Sequence, residues 1–305
     1  MNLNYNTEQL IKVSDIEIPE RFFHRMKTGY ETLDTMFGNG ILQGLTFTLA
    51  ASPGTGKTTF LLQLLNSLQQ QGYSTGYFTG EEDIRQIAFT CKRLGVTEVP
   101  VCNVTDIDKI CEMSKELDIV VIDSFPCITT KEEMSRNVRE KYIVEKLIEI
   151  SESNACSFGI ILHVTKTGEY KGGTLIPHAV GANFTLEVNQ DDPENSRVIC
   201  ASKNRYGSAS NISIPFGANG FDFGSANQHL GDNSAPSKSD VKAKLLTKIL
   251  NMNEPPGINM QRVMSELSVD RSKAYFLLKE LTDSGKLQKF GRGEDACWKH
   301  SIVGV

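Results

Sequence analysis

The chain is 305 residues long, with 39% hydrophobic residues, 23% charged residues and a formal net charge of −5. That length holds a full core and room for a second domain, and the charge balance speaks against a uniformly basic nucleic-acid binder while leaving space for local cationic patches. Seven scattered cysteines, never in a C-x-x-C pair, speak against a zinc ribbon and a disulfide framework; no secretion signal or run of ~18 apolar residues is visible, so the cytoplasm is the expected compartment.

In chain order, residues 1–26 read as a polar lead-in that carries the cluster Arg21-Phe22-Phe23-His24-Arg25. Short apolar runs then recur at 46–50, 75–79, 119–122 and 158–163, with helical spacing over 58–70, 83–94 and 132–152 between them. Such alternation predicts an α/β core over 27–223, a mostly parallel sheet with helices on both faces. More closely spaced strand candidates at 184–188, 197–202 and 212–215 predict an antiparallel extension at one side. Residues 224–239 have the composition of a flexible linker, and a small second domain is expected over 240–305.

Between the first strand and first helix stands Ala51-Ser52-Pro53-Gly54-Thr55-Gly56-Lys57-Thr58, followed by Thr59. Gly54 and Gly56 let the backbone curl until successive N–H groups face a phosphate, and the helix beginning near Lys57 points its positive end to the same place. ATP is the expected ligand, bound by residues 52–59, with Lys57 on the β and γ phosphates and the Thr58 hydroxyl on Mg²⁺. Asp123, ending the buried run Ile119-Val120-Val121-Ile122, has the Walker B position for organising the metal. Glu81 and Glu82 follow the strand at 75–79, where either could polarise the attacking water; Glu81 is preferred.

Lys27-Thr28-Gly29-Tyr30-Glu31-Thr32-Leu33-Asp34 and Gly76-Tyr77-Phe78-Thr79-Gly80-Glu81-Glu82 resemble segments of the bacterial RadA (Sms) branch-migration ATPases, members of the RecA/DnaB superfamily. So do His163-Val164-Thr165-Lys166-Thr167-Gly168-Glu169 with Lys171-Gly172-Gly173, and Lys203-Asn204-Arg205-Tyr206-Gly207, over a span of roughly 27–222. The resemblance implies a RecA-like P-loop core in which His163 senses the γ-phosphate, and Lys203 and Arg205 reach into the site of the next subunit. It therefore implies a homo-oligomer, with a hexameric ring preferred. Lys166 and Lys171 would face DNA from the loop after His163, and Arg136 and Arg139 from the segment after Asp123, where a solvated helix face is the competing reading. The four-cysteine module and the protease-like domain of that family have no counterpart in this sequence.

Residues 240–305 carry 11 Lys and Arg against 8 Asp and Glu, with apolar spacing for three helices followed by a hairpin ending at Trp298. This is the winged-helix pattern, with Arg271, Lys273, Lys289 and Arg292 as candidate DNA contacts and protein docking as the alternative use. The expected function is a DNA-stimulated ATPase acting as a motor or helicase on single-stranded or branched DNA in recombination, repair or replication. Two rivals are a replicative helicase of the DnaB type and an ATP-switched DNA-binding regulator or loader.

Overall fold

The computed structural model describes residues 10–163, 175–207, 211–228, 245–247, 249–250, 252, 258–267, 269, 271–291 and 297–300. They belong to two compact units, 1–233 and 234–305.

In the first unit, a two-stranded antiparallel ladder of β1 (Arg25–Met26) and β2 (Ile41–Leu42) encloses α1 (Glu31–Met36) and leads into the main sheet. There follow β3 (Thr46–Ala51), α2 (Lys57–Gln70), β4 (Thr75–Thr79), α3 (Ile84–Leu94), β5 (Val101–Cys102), α4 (Ile107–Met113), β6 (Ile119–Asp123), α5 (Arg136–Asn154) and β7 (Ser157–His163). Next come α6 (Leu175–Ala179), β8 (Ala182–Val188), β9 (Ser196–Asn204), β10 (Ile212–Gly217), β11 (Gly220–Phe221) and β12 (Asn227–Gln228). The ten-stranded sheet has the order β11-β10-β9-β8-β3-β7-β6-β4-β5, with β12 also on β10. Pairing is parallel from β8 to β5 and antiparallel from β8 through β9 to β10.

Helices cover both faces because alternate strand residues point to opposite sides. Phe47, Leu49, Tyr77, Ile119, Val121 and Ile161 join α2 and α3 in one apolar cluster. Ala50, Phe78, Val120, Ile122, Phe158, Ile160 and Leu162 join α4, α5 and α6 in the other. Burial on both faces explains why these strands read as near-continuous apolar runs.

Several boundaries differ from the sequence expectation. Met26 is fully buried, so the core begins inside the supposed lead-in. β8 pairs in parallel with β3, and the antiparallel part begins only at β9. α5 starts at Arg136 rather than 132, after Ser135. Residues 224–228, expected in the linker, belong to the core: Ala226 is buried and β12 pairs with β10.

The Lys203-to-Gly207 element is fastened to the turn after α1. The Asn204 amide donates to Met36 O at 2.8 Å, and a Cβ on Gly38 would lie 2.0 Å from Tyr206 O. Only glycine permits this backbone approach, and Gly38 also has φ of +83°.

In the second unit, helices Met260–Leu267 and Arg271–Asp283 pack with a three-stranded antiparallel sheet of Ile258–Asn259, Cys297–His300 and Leu287–Phe290. Ile249, Val263, Leu277, Leu278, Leu281 and Trp298 form its core.

Candidate nucleotide site

The parallel strands β3, β4, β6 and β7 end at one edge of the sheet, where an α/β fold places its ligands. Ala51 of β3 pairs with His163 of β7, and Thr79 of β4 with Asp123 of β6, so four loops open into the same space. The resulting pocket is about 760 Å³ and is lined by Pro53, Gly54, Gly56, Lys57, Thr58, Thr59, Glu81, Glu82, Asp123, Pro126, His163 and Phe216.

Gly56 caps α2 with φ of 107°, a left-handed conformation that turns the chain from loop into helix. A Cβ there would also lie 3.2 Å from the Phe216 and Phe221 rings. Ser52 and Thr55 brace the loop: the Thr55 hydroxyl donates to Ser52 O at 2.8 Å. Lys57 Nζ donates to Ala51 O at 3.0 Å and Ser52 O at 3.1 Å, which uses two of its three donors. Burial pulls its pKa down, against the opposing attraction of Asp123 and Glu81.

At Asp123, two hydroxyls converge on Oδ2. Thr58 donates to it at 3.1 Å, and the buried Tyr77 phenol donates from β4. Burial pushes the Asp123 carboxyl up from its ordinary value, while these two hydrogen bonds pull it down. A hydroxyl and a carboxylate oxygen this close form a donor set that suits a hard divalent cation such as Mg²⁺.

His163 Nε2 lies 2.9 Å from Glu81 Oε2 and 3.2 Å from Ser124 Oγ. Glu82 is turned by Thr79, whose hydroxyl accepts from the Glu82 N–H at 3.1 Å and donates to its carbonyl at 2.9 Å. Burial, then the charges of Asp123 and Glu81, raise the Glu82 pKa. Asp83 closes the turn with a capping box to Gln86 that begins α3. The arrangement brings a glycine-rich loop at a helix N-terminus, a hydroxyl–carboxylate oxygen pair and a carboxylate partnered by histidine into one cavity, a set of groups whose chemistry suits attack of water on a phosphoryl group.

The remaining sequence candidates lie elsewhere. Lys203 Nζ donates to Pro177 O at 3.2 Å, His178 O at 2.8 Å and Val180 O at 2.6 Å, all in its own chain. Arg205 is exposed, and its side chain makes no hydrogen bond or ion pair among the described residues. Arg136 pairs with the buried Glu140 at 3.0 Å, and Arg139 follows on the same helix; neither lines the pocket. In the second unit Arg271 is exposed at a helix start, Lys273 is half-buried, and Lys289 Nζ sits 5.3 Å from the Trp298 ring centroid. Lys166, Lys171 and Arg292 lie outside the described residues.

Three contributors escaped the sequence reading. Tyr77 reads as a core aromatic of a buried strand, and its partner is 46 residues away. Phe216 and Arg197 come from the antiparallel part of the sheet: the guanidinium stacks 4.4 Å from the ring centroid and donates to Thr55 O at 3.4 Å. No local motif marks either.

Comparison with known proteins points in one direction. A family model described as the KaiC ATPase matches residues 26–103. DNA repair protein RadA of Escherichia coli is 30% identical over 212 residues, covering 67% of this chain and 45% of that protein. RadA of Rickettsia typhi is 32% identical over 199 residues, 62% of this chain and 44% of the relative. The chain thus spans less than half the length of the curated relatives it matches. Among solved structures, the KaiC-like protein PH0186 of Pyrococcus horikoshii has a TM-score of 0.54 at 20% identity, covering 65% of this chain and 97% of its own. The ATPase domain of G40P has a TM-score of 0.55 at 12% identity, covering 66% and 92%. These last two likenesses establish the α/β fold.

Proposed function

We propose, from a core that is a RadA-like ATPase of the RecA/DnaB P-loop superfamily, that the chain hydrolyses ATP between neighbouring copies and uses that turnover to act on single-stranded or branched DNA. The observation that carries the reading is the convergence of Lys57, Thr58, Glu81, Asp123 and His163 on one pocket at the strand ends.

In this reading residues 52–59 bind the phosphates through backbone N–H groups, and Lys57 exchanges part of its hold on Ala51 and Ser52 for phosphate oxygen. Thr58 and Asp123 hold Mg²⁺, which when bound neutralises charge on the terminal phosphates. Glu81 accepts the proton of the attacking water, and His163 holds that carboxylate in place. Arg205 stabilises transition-state charge in the adjoining copy, a role its exposed guanidinium, without a side-chain partner among the described residues, suits. Completion of each site by a neighbour favours a closed ring, with a hexamer preferred. DNA contacts are assigned to Lys166, Lys171, Arg136 and Arg139 in the core. A winged-helix unit over 240–305 adds Arg271, Lys273, Lys289 and Arg292, a reading supported by its two adjacent helices and short antiparallel sheet.

Mixing subunits tests the central claim. Lys57→Ala and Arg205→Ala chains should each lose ~10³-fold or more of DNA-stimulated hydrolysis. A one-to-one mixture should regain activity, because roughly a quarter of randomly formed interfaces combine an intact Lys57 with an intact Arg205. Turnover retained by Lys57→Ala would refute the site, and a mixture as inactive as its parts would refute sharing across the interface.

A further inference from the structure

In the second unit the helix Arg271–Asp283 buries Ala274, Leu277, Leu278 and Leu281 in the core of that unit, which fixes the face it turns outward. Two large rings stand side by side on the outer face: Tyr275 is 47% exposed and Phe276 68%. They meet edge to face with centroids 6.2 Å apart, an arrangement in which neither ring covers both faces of the other. Rings of this size gain by leaving water, and the unit's own core does not take them, so the pair marks a surface that meets something else.

The charge around the pair indicates what that is. Arg271 lies one turn before Tyr275 and Lys279 one turn after it, about 6 Å along the axis in each direction. The hairpin that follows repeats the combination: Phe290 is exposed and has Lys299 Nζ 5.5 Å from its ring centroid. Residues 271–300 carry seven Lys and Arg against four Asp and Glu, in a chain whose net charge is −5. Rings interleaved with cations are complementary to a strand of unpaired nucleotides, whose phosphates meet the cations and whose bases stack on the rings. A duplex hides its base faces in the stack and offers only edges, which polar side chains read by hydrogen bonds and aromatic rings do not.

We propose that the Tyr275–Phe276 face of the second unit binds single-stranded DNA by base stacking, with Arg271 and Lys279 beside the flanking phosphates. That the polymer is DNA rests on the proposed function, while the face itself is independent of the ATP site.

Phe276→Trp in the full chain places a fluorophore on this face; the one tryptophan already present, Trp298, is buried and supplies a constant background. Without nucleotide, oligo-dT should quench the added emission, and a blunt-ended hairpin duplex should need ~10-fold more or beyond, because its bases must first be unstacked. Tyr275→Leu in the same background keeps apolar bulk and removes the ring. It should raise the oligo-dT midpoint about 5- to 150-fold, the equivalent of the ~1–3 kcal/mol lost with a stacking side chain.

Equal midpoints for single strand and duplex would make this a groove-reading face, and a midpoint indifferent to Tyr275→Leu would make it an apolar docking face for protein; either result overturns the proposal. DNA-stimulated hydrolysis by the same chain tests the proposed function separately. Stimulation with no quenching at position 276 would refute this face alone, whereas quenching without stimulation would refute the motor and leave the face standing.

Discussion

Asp123 Oδ2 receives two hydroxyls, from Thr58 in the phosphate loop's helix and from Tyr77 in β4. A cation that takes Thr58 as a ligand removes one of them, and Tyr77 then remains to orient the carboxylate. Tyr77→Phe should leave the fold intact, at a cost of about 1 kcal/mol for the lost hydrogen bond. Its Mg²⁺ requirement should rise ~10-fold or more, as happens when outer partners of metal ligands are removed. Magnesium titrations of hydrolysis and of fluorescent-nucleotide binding would check this; an unchanged midpoint in both would deny Tyr77 the role. At this scale the positions of Lys57, Thr58, Asp123 and Glu81 were legible because each ends or follows a buried strand, where local pattern reveals position, whereas His163 was singled out only through the family resemblance. Tyr77, Phe216 and Arg197 were not, because a pleat facing inward and a strand more than a hundred residues downstream leave no local mark.

At the scale of elements, α2 joins the phosphate loop to the far part of the sheet through aromatic packing. Phe60 meets Phe221 and Phe223 edge-on, with ring centroids 5.5 and 5.4 Å apart, and Gly56 lies under Phe216 and Phe221. Phe60→Ala should therefore cost ~3–5 kcal/mol in denaturant unfolding, the usual loss for a buried Phe. It should also weaken nucleotide binding, since the cavity opens behind the loop. A loss under ~1 kcal/mol would mean the aromatic cluster carries little of this helix's docking.

The long amphipathic and fully buried elements were readable from periodicity. The direction of β8 was not: no strand encodes whether its neighbour runs parallel, and the connection that sets it includes α6, five residues long and containing Pro177. β12 was missed for a related reason, being two polar residues, Asn227 and Gln228, in a stretch with linker composition.

Across the whole molecule, thiols are distributed through the interior rather than cross-linked. All seven cysteines are free. Burial pushes Cys111 up to about 11 and Cys156 and Cys200 up to about 12, from an ordinary 9.0. Because the folded-state values lie above the unfolded one, the unfolded chain releases these protons first. Stability is therefore fully present below about pH 9 and is lost as pH rises toward 11–12, at ~1.4 kcal/mol per pH unit for each thiol held neutral. Urea midpoints measured from pH 8 to pH 11 should fall accordingly, and Cys156→Ala should flatten the slope; a pH-independent midpoint would contradict the burial. Cysteine spacing spoke against a disulfide framework, yet which thiols sit deepest depended on strand and helix packing that spacing alone does not reveal.

The back-to-back contact of Gly38 with Tyr206 and Gly207 has a mechanical meaning. With no side chain between the two backbones, nothing compressible cushions them, and close-packed matter passes a displacement on instead of absorbing it. A side chain at position 38 would have to part the turn after α1 from the end of β9, and the corner that carries Arg205 would shift with it.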